Sequence, residues 1–283
     1  ISAIDEHATG VLVSFQRGAP RNFDLVIGAD GLHSTVRDLV FGPERQFEKQ
    51  LGYRVAVFEV EGYRPRDELV FVTYTTPGRQ VGRFALRGDR TGFSFIFSTE
   101  RMAGPEPADI KERKAVLRQV FADAGWECPK ILQAIDRVRD VYYDRVSQIR
   151  MDCWSKGRVV LIGDAAACVS LLAGEGAGMA MAEAYVLAAE LSRAGHDYQI
   201  AYRRYEQLLR PFVEAKQKSA GYFASAFVPT TRVGVWLRNQ VTKLMAFAPL
   251  FNYFFVRQLR DEFDLPHYDA PVAEHWESQN ASV

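Results

Sequence analysis

Residues 161–184 read LIGDAAACVSLLAGEGAGMAMAEA. The stretch continues an apolar strand pattern, GRVVLIGD (157–164), and stops it at Gly163-Asp164. A short apolar run that ends at glycine reads as a buried strand. Ligands of open α/β sheets lie beyond the carboxyl ends of such strands, which is where Asp164 falls. Its carboxylate can accept hydrogen bonds from sugar or ribityl hydroxyls. The loop LLAGEGAG (171–178) then feeds an Ala-rich helix expected from about Gly176 to Arg193. The first amides of a helix have no intrahelical partner and favour negative charge. With only glycine or alanine at 173, 174, 176, 177 and 178, a flat ligand can approach the backbone. Taken alone, the stretch is equally a small-residue helix packed on a sheet. It is not a dinucleotide fingerprint, because GxGxxG from Gly174 would need glycine where Met179 stands.

Working outward, FDLVIGAD (23–30) is a second short apolar run, stopped by Gly28 and Asp30-Gly31. Ser34 suits the N-cap of a short helix, STVRDLV, that ends near Gly42-Pro43. Residues 52–98 change character: YRVAVFEV, ELVFVTYTT, QVGRFAL and GFSFIFS are β-rich and separated by PGR and RGDRTG. This pattern predicts an antiparallel meander. Phe93, Phe95 and Phe97 fall on one face of it. A helix over 109–125 starts at Asp109 and stops at Gly125, and a short helix near 129–136 and a strand, VRDVYYDRV, follow it. Another helix runs from about Tyr198 past Pro211, where a kink or break is expected. The segment from Asp264 onward reads as irregular.

Composition narrows the function classes. The chain has 283 residues, with 35 Lys+Arg and 35 Asp+Glu, so nothing resembles the basic footprint of a nucleic-acid binder. Cys128, Cys153 and Cys168 form no CxxC pair, and the five histidines show no ligand spacing, so no disulfide framework and no metal site are expected. A reducing, cytoplasmic setting follows. The most apolar run, LMAFAPLFNYFFV (244–256), is shorter than the roughly 20 residues a bilayer needs, so no stable membrane insertion is expected. A core or interface helix is its reading.

Together, DLVIGADGLHSTVR (24–37) and GRVVLIGDAAACVSLLAGEGAGMAMAEA (157–184) resemble the DG and GD motifs of FAD-dependent aromatic hydroxylases of the para-hydroxybenzoate hydroxylase type. The AGEG turn and the helical C-terminal extension look most like the branch containing tetracycline-inactivating monooxygenases. The resemblance implies a mixed α/β fold: a Rossmann-like FAD-binding domain with an inserted antiparallel substrate sheet and C-terminal helices. Residues 1–50 and 151–195 would belong to the FAD-binding domain, 51–150 to the substrate domain and 196–283 to the helical region. It implies that Gly163-Asp164 binds the ribityl or diphosphate part of FAD. Gly174, Gly176, Ala177 and Gly178 would lay backbone against the flavin pyrimidine ring, where the helix start would stabilise negative charge on reduced flavin. Asp30, Gly31 and Arg37 would support the diphosphate region and influence NADPH (or NADH) use, although Arg37 equally reads as a surface helix arginine. Arg83, Phe84, Phe95 and Leu172 are the candidate contacts to a small aromatic substrate. No residue is singled out as a general base, and His33 and Tyr74 read as packing residues.

This chain departs from the family pattern at Ala167, Ser170, Leu171, Gly178 and Glu183. No GxGxxG stands before residue 23, so the sequence reads as the C-terminal part of a longer flavoprotein. The absent piece would hold at least a βαβ unit of roughly 30 residues, and a separate N-terminal fragment of the same protein is a partner this reading implies. The resemblance implies hydroxylation of an aromatic or polyketide-like molecule with NAD(P)H and O2 through a flavin C4a-hydroperoxide. Two alternatives stay open: a halogenase or isoprenoid reductase of the same fold, and a truncated module that binds small molecules without turnover.

Overall fold

The computed structural model describes residues 1–195, 197–245 and 265–268. Three short strands, β1 (Ala3–His7), β2 (Gly10–Ser14) and β3 (Arg21–Phe23), form an antiparallel sheet in that order. Then β4 (Val26–Gly28) leads into helix α1 (Thr35–Val40), whose N-cap is Ser34 as expected: its Oγ accepts from the Arg37 amide at 2.9 Å.

Four long or paired strands follow: β5 (Glu48–Glu61), β6 (Val72–Thr76), β7 (Arg79–Leu86) and β8 (Arg90–Ser98). Helices α2 (Ile110–Val120) and α3 (Cys128–Ala134) separate them from β9 (Tyr142–Ile149). The five strands make one antiparallel sheet in the order β6-β7-β8-β5-β9, so only β6 to β8 form the expected meander. Asp109 caps α2 by accepting from the Glu112 amide at 2.8 Å. The helix ends at Val120 rather than near Gly125, because Phe121 leaves helical geometry to bury its ring against Phe95 and Phe97.

The sheet has two different faces. On one, Phe58, Phe93, Phe95 and Phe97 pack against Leu117, Val120, Phe121 and Ile131 of the helical layer. On the other, Tyr53, Val55, Ile96 and Val146 form a smaller cluster, capped by Val228 and flanked by Leu172. That second face is the one turned toward the Gly-Asp loop.

The chain returns through β10 (Ser155–Lys156) and β11 (Val159–Leu161). Strand β11 pairs in parallel with β4, Val159 opposite Val26 and Leu161 opposite Gly28. A Cβ on Gly28 would stand 2.5 Å from Leu161 Cδ2 and 2.9 Å from Val36 Cγ1, so only glycine lets strand and helix close up here. Three helices complete this unit: α4 (Asp164–Ala167), α5 (Gly176–Arg193) and α6 (Tyr198–Phe227). With β11 they bury Trp154, Val186, Tyr202, Tyr205, Leu209 and Val213. The start and end of α5 match the expected ones.

Helix α6 passes through Pro211 without a break, against expectation. Pro211 and Gln207, whose carbonyl loses its amide partner, both lie on the exposed side, where water can satisfy that carbonyl. Tyr205, Leu209 and Val213 anchor the opposite side. A last helix, α7 (Arg232–Met245), follows. Most of the apolar run 244–256, together with the tail beyond Tyr268, lies outside the described residues. Among the described residues no helix is long and apolar enough to cross a membrane, and no group of His, Cys, Asp and Glu could hold a metal ion.

Candidate flavin site

The turn after β11 is built on Gly163, whose φ of 60° and ψ of −144° belong to a region that L side chains avoid. Its carbonyl accepts from the Ala166 and Ala167 amides at 3.0 Å each, which starts α4 and sets Asp164 at the end of the strand. The chain then makes a 3₁₀ turn over 171–173, with Ser170 Oγ accepting from the Leu172 amide at 3.2 Å. Gly174, at φ 70°, reverses it into α5. Glu175 supplies no side-chain cap, and the first helical bond runs from the Met179 amide to Glu175 O. The amides of Gly176, Ala177 and Gly178 therefore lack an intrahelical or capping partner.

These pieces wall a cavity of about 300 Å³. Asp164, Cys168, Ser170, Leu171, Gly174, Gly176 and Ala177 line one side; Leu32 closes one end, and Tyr142, Arg145 and Ser147 of β9 form the other side. A Cβ on Gly174 or Gly178 would meet nothing within 4 Å, so bare backbone faces open space. At Gly176 it would lie 3.5 Å from Asp164 Oδ1, which places the carboxylate beside the helix start. One acceptor next to a row of free amides fits a ligand that has both hydroxyls and carbonyls. The predicted Asp164, Gly174, Gly176 and Ala177 thus come together around one cavity. Tyr142, Arg145 and Ser147 carry no sequence signal that would have picked them out.

Asp30, Gly31 and Arg37 stand behind this cavity rather than in it. Both Asp30 oxygens serve α1, one accepting from Ser34 Oγ and the other from the Val36 amide at 3.0 Å. Arg37 is fully buried, which removes the surface-arginine reading. Its Nη1 donates to Ala165 O at 3.1 Å, and its Nη2 donates to Leu32 O and pairs with Glu44 at 2.9 Å. Burial lowers the guanidinium pKa, and the charges of Glu44 and Asp30 partly offset this. Arg37 thus ties the DG loop to the first turn of α4. His33 is half exposed and bridges two carboxylates, Glu44 at 3.0 Å and Asp144 of β9 at 2.9 Å. Desolvation opposes its protonation, but hydrogen bonds and charge from Asp144 and Glu44 outweigh it and raise the pKa.

The four substrate candidates do not converge, and none of them lines the cavity. Phe95 is wholly buried in the aromatic core, 5.5 Å from Phe58 and 4.9 Å from Phe121, so packing replaces the contact expected of it. Arg83 is also buried, on the helical side, where Asp67 at 2.6 Å, Glu127 at 3.6 Å and Pro65 O take up its guanidinium. Phe84 covers Gly92, where a Cβ would touch its ring at 2.5 Å. Leu172 packs on the Tyr53 cluster, next to the cavity's own loop. Tyr74 stacks on Trp126 at 5.8 Å.

Two titratable groups lie around the Gly-Asp turn. Burial, reinforced by Asp164, pushes the Cys168 thiol far above its ordinary range, so it is no nucleophile. Glu183 of α5 is buried beneath the turn and accepts from the Gly163 amide. Desolvation raises its pKa, the Gly163 and Tyr205 hydrogen bonds oppose that, and the result is about 7.

A family profile described as FAD binding domain matches residues 7–215, which takes in both motifs and the sheet between them. The chain belongs to this family of FAD-dependent aromatic hydroxylases. Among curated members, the uncharacterized protein Rv1260 of Mycobacterium tuberculosis is 40% identical over 220 residues, covering 77% of this chain and 58% of its own length. A flavin-dependent monooxygenase from an unknown prokaryotic organism is 35% identical over 267 residues, covering 94% of this chain and 67% of its own. The chain thus spans between about half and two thirds of these relatives. Of solved structures, tetracycline destructase Tet(51) superposes with a TM-score of 0.75 at 31% identity, covering 94% of this chain and 69% of that one. HpxO of Klebsiella pneumoniae, solved with FAD and uric acid, gives 0.67 at 26% identity, covering 84% and 60%.

Proposed function

We propose that this chain is the flavin-turn and substrate-sheet portion of a monooxygenase that hydroxylates an aromatic or polyketide-like small molecule, using NAD(P)H and O2. The observation that carries the reading is the 300 Å³ cavity, in which the Asp164 carboxylate and the free amides of the α5 start face strand β9 of the five-stranded sheet. A Rossmann-type phosphate loop is not among its walls. FAD, when bound, supplies the oxygen chemistry. Asp164 would accept hydrogen bonds from its polyol chain. The Gly176–Gly178 amides would stabilise negative charge on its ring, as a preorganised dipole does. Arg145, which pairs with Glu48 at 3.2 Å, lines the cavity from the substrate side. Arg37 ties the two motifs together through Ala165 O, while Asp30 holds the first turn of α1. In this reading residues 1–50 and 151–195 serve the flavin and 51–150 the substrate. Three unpaired cysteines, one of them exposed, support a reducing, cytoplasmic setting.

Incubating the purified chain with FAD, removing free ligand and recording the visible spectrum beside an intact mass tests the cofactor half. Retained flavin absorbance at the mass of the 283-residue chain is the expected result. For the chemistry, NADPH oxidation is followed with a panel of phenols and polycyclic aromatics, and products are weighed. A product heavier by one oxygen supports hydroxylation. Halide incorporation, or reductant consumption with no oxygenated product from any of them, sinks it.

A further inference from the structure

A second cavity, of about 780 Å³, borders the flavin cavity without joining it. Ser147 and Cys168 line the flavin cavity, Ile149 and Ala167 line this one, and the two have no lining residue in common. Helix α6 turns one stripe toward it, Arg210, Val213, Gln217 and Gly221, at the spacing of three and four that marks one helical face. Two buried glutamines join helix to strand here. Gln148 of β9 donates from Nε2 to Gln217 O at 2.6 Å, and Gln217 Nε2 donates to Ile149 O at 2.7 Å and Cys168 O at 3.1 Å. The side-chain oxygen of Gln148 then accepts from Arg150, from Nε at 3.1 Å and Nη2 at 2.8 Å. Arg150 is thus held by a neutral amide, and among the described residues no carboxylate pairs with it. Lys49 of β5 and Lys218 of α6 also line the cavity, are exposed, and form no ion pair among the described residues. Of the lining carboxylates, Glu214 is taken by Arg210 at 3.3 Å, which leaves Asp152. Three unpaired cations therefore stand against one unpaired carboxylate.

We propose that this cavity is a second ligand site, which takes a small organic phosphate or carboxylate. Arg150 grips the oxyanion, Lys49 and Lys218 add positive charge, and Met151 and Val213 receive the apolar body of the ligand. A guanidinium presents a planar fork that matches a carboxylate or phosphate, and one already oriented by a buried amide loses little freedom on binding. Like-signed charges around a concave wall also raise the local concentration of anions. The volume lies in the range of small-molecule sites. None of this depends on bound flavin.

The test is titration calorimetry of the 283-residue chain with phenyl phosphate and with benzoate, and with benzyl alcohol as the uncharged control. At least one of the two anions is expected to bind, the tighter of them naming the oxyanion class, while the alcohol does not. Arg150→Ala should weaken that binding about tenfold or more, since it removes a charge-assisted pair. Arg150→Lys should weaken it less, because the charge stays and the fork goes. Lys218→Glu reverses a rim charge and should also weaken binding. Lys243→Ala, the loss of one exposed charge on α7, should leave affinity within twofold. Arg150→Ala also takes a partner from buried Gln148; if that variant does not fold, Lys218→Glu at its exposed position still decides. Wild-type affinity in both Arg150→Ala and Lys218→Glu overturns the proposal, and so does the absence of binding by either anion at millimolar concentration. Benzyl alcohol binding as tightly as the anions would also overturn it. A probe lodged at the start of α5 would bind better in Asp164→Ala and ignore the Arg150 and Lys218 variants, which would overturn it as well.

Discussion

At the scale of single residues, the flavin turn depends on one backbone and one carboxylate. Gly163 occupies a conformation closed to other L residues, and a Cβ there would also come within 3.0 Å of Ala180 Cβ. Gly163→Ala should cost about 1–3 kcal/mol, read as a fall in thermal midpoint; an unchanged midpoint would mean that the turn relaxes freely. Asp164 has a simpler task. Asp164→Ala removes at least one charge-assisted hydrogen bond of about 1.5 kcal/mol, so flavin affinity should fall roughly tenfold or more. Affinity within twofold of wild type would rule out the carboxylate as a ligand group. Arg37 works from behind: Arg37→Met leaves the Ala165 and Leu32 carbonyls without their guanidinium donor and should cost about 1–3 kcal/mol of stability.

Secondary-structure elements obey the local rules with two informative exceptions. Ser34 and Asp109 cap their helices, and α5 begins and ends where the small-residue pattern predicts, because these features depend only on neighbours a few residues away. Helix α2 ends early because Phe121 is drawn into the aromatic core. Helix α6 continues through Pro211 because its solvent side tolerates the lost amide, while Tyr205, Leu209 and Val213 hold the other side. The interior proline still has its cost. Pro211→Ala restores an amide donor to Gln207 O and should raise stability by about 1–3 kcal/mol. Chemical denaturation measures this directly; a loss of stability would show that proline rigidity in the unfolded chain outweighs the bond.

Over the whole molecule, the DG loop and the substrate sheet meet at His33. Its imidazole joins Glu44, which follows α1, to Asp144 on β9, and it does so most strongly when protonated. Because the folded pKa is raised, this stabilisation is complete below the unfolded value of about 6.5. It is lost as pH rises through the higher folded value. The midpoint difference between wild type and His33→Gln should therefore be largest at mildly acidic pH and close above neutrality. A difference independent of pH would show that the bridge acts only as a hydrogen bond. Glu183 imposes the same sign in a different range, from the ordinary carboxylate value up to about 7, so the two are separable by variant.

The amino-acid sequence by itself determined the two strand-to-loop junctions, the helix caps, the β-rich middle and the glycine-bare start of α5. Each is written in residues that constrain their own backbone: a glycine where no side chain fits, a serine or aspartate that closes a first turn, an alternation of period two. Asp164, Gly174, Gly176 and Ala177 were legible for that reason. The tertiary structure alone decided that Arg37 is buried, that Phe95 and Arg83 face the helical layer, and that Tyr142, Arg145 and Ser147 face the cavity. It also decided that β5 lies between β8 and β9, and that Glu183 reaches back 20 positions to the Gly163 amide. Those outcomes depend on which surfaces close against one another across long sequence separations. A buried acid and a surface acid are the same letter until the packing sets the dielectric around them.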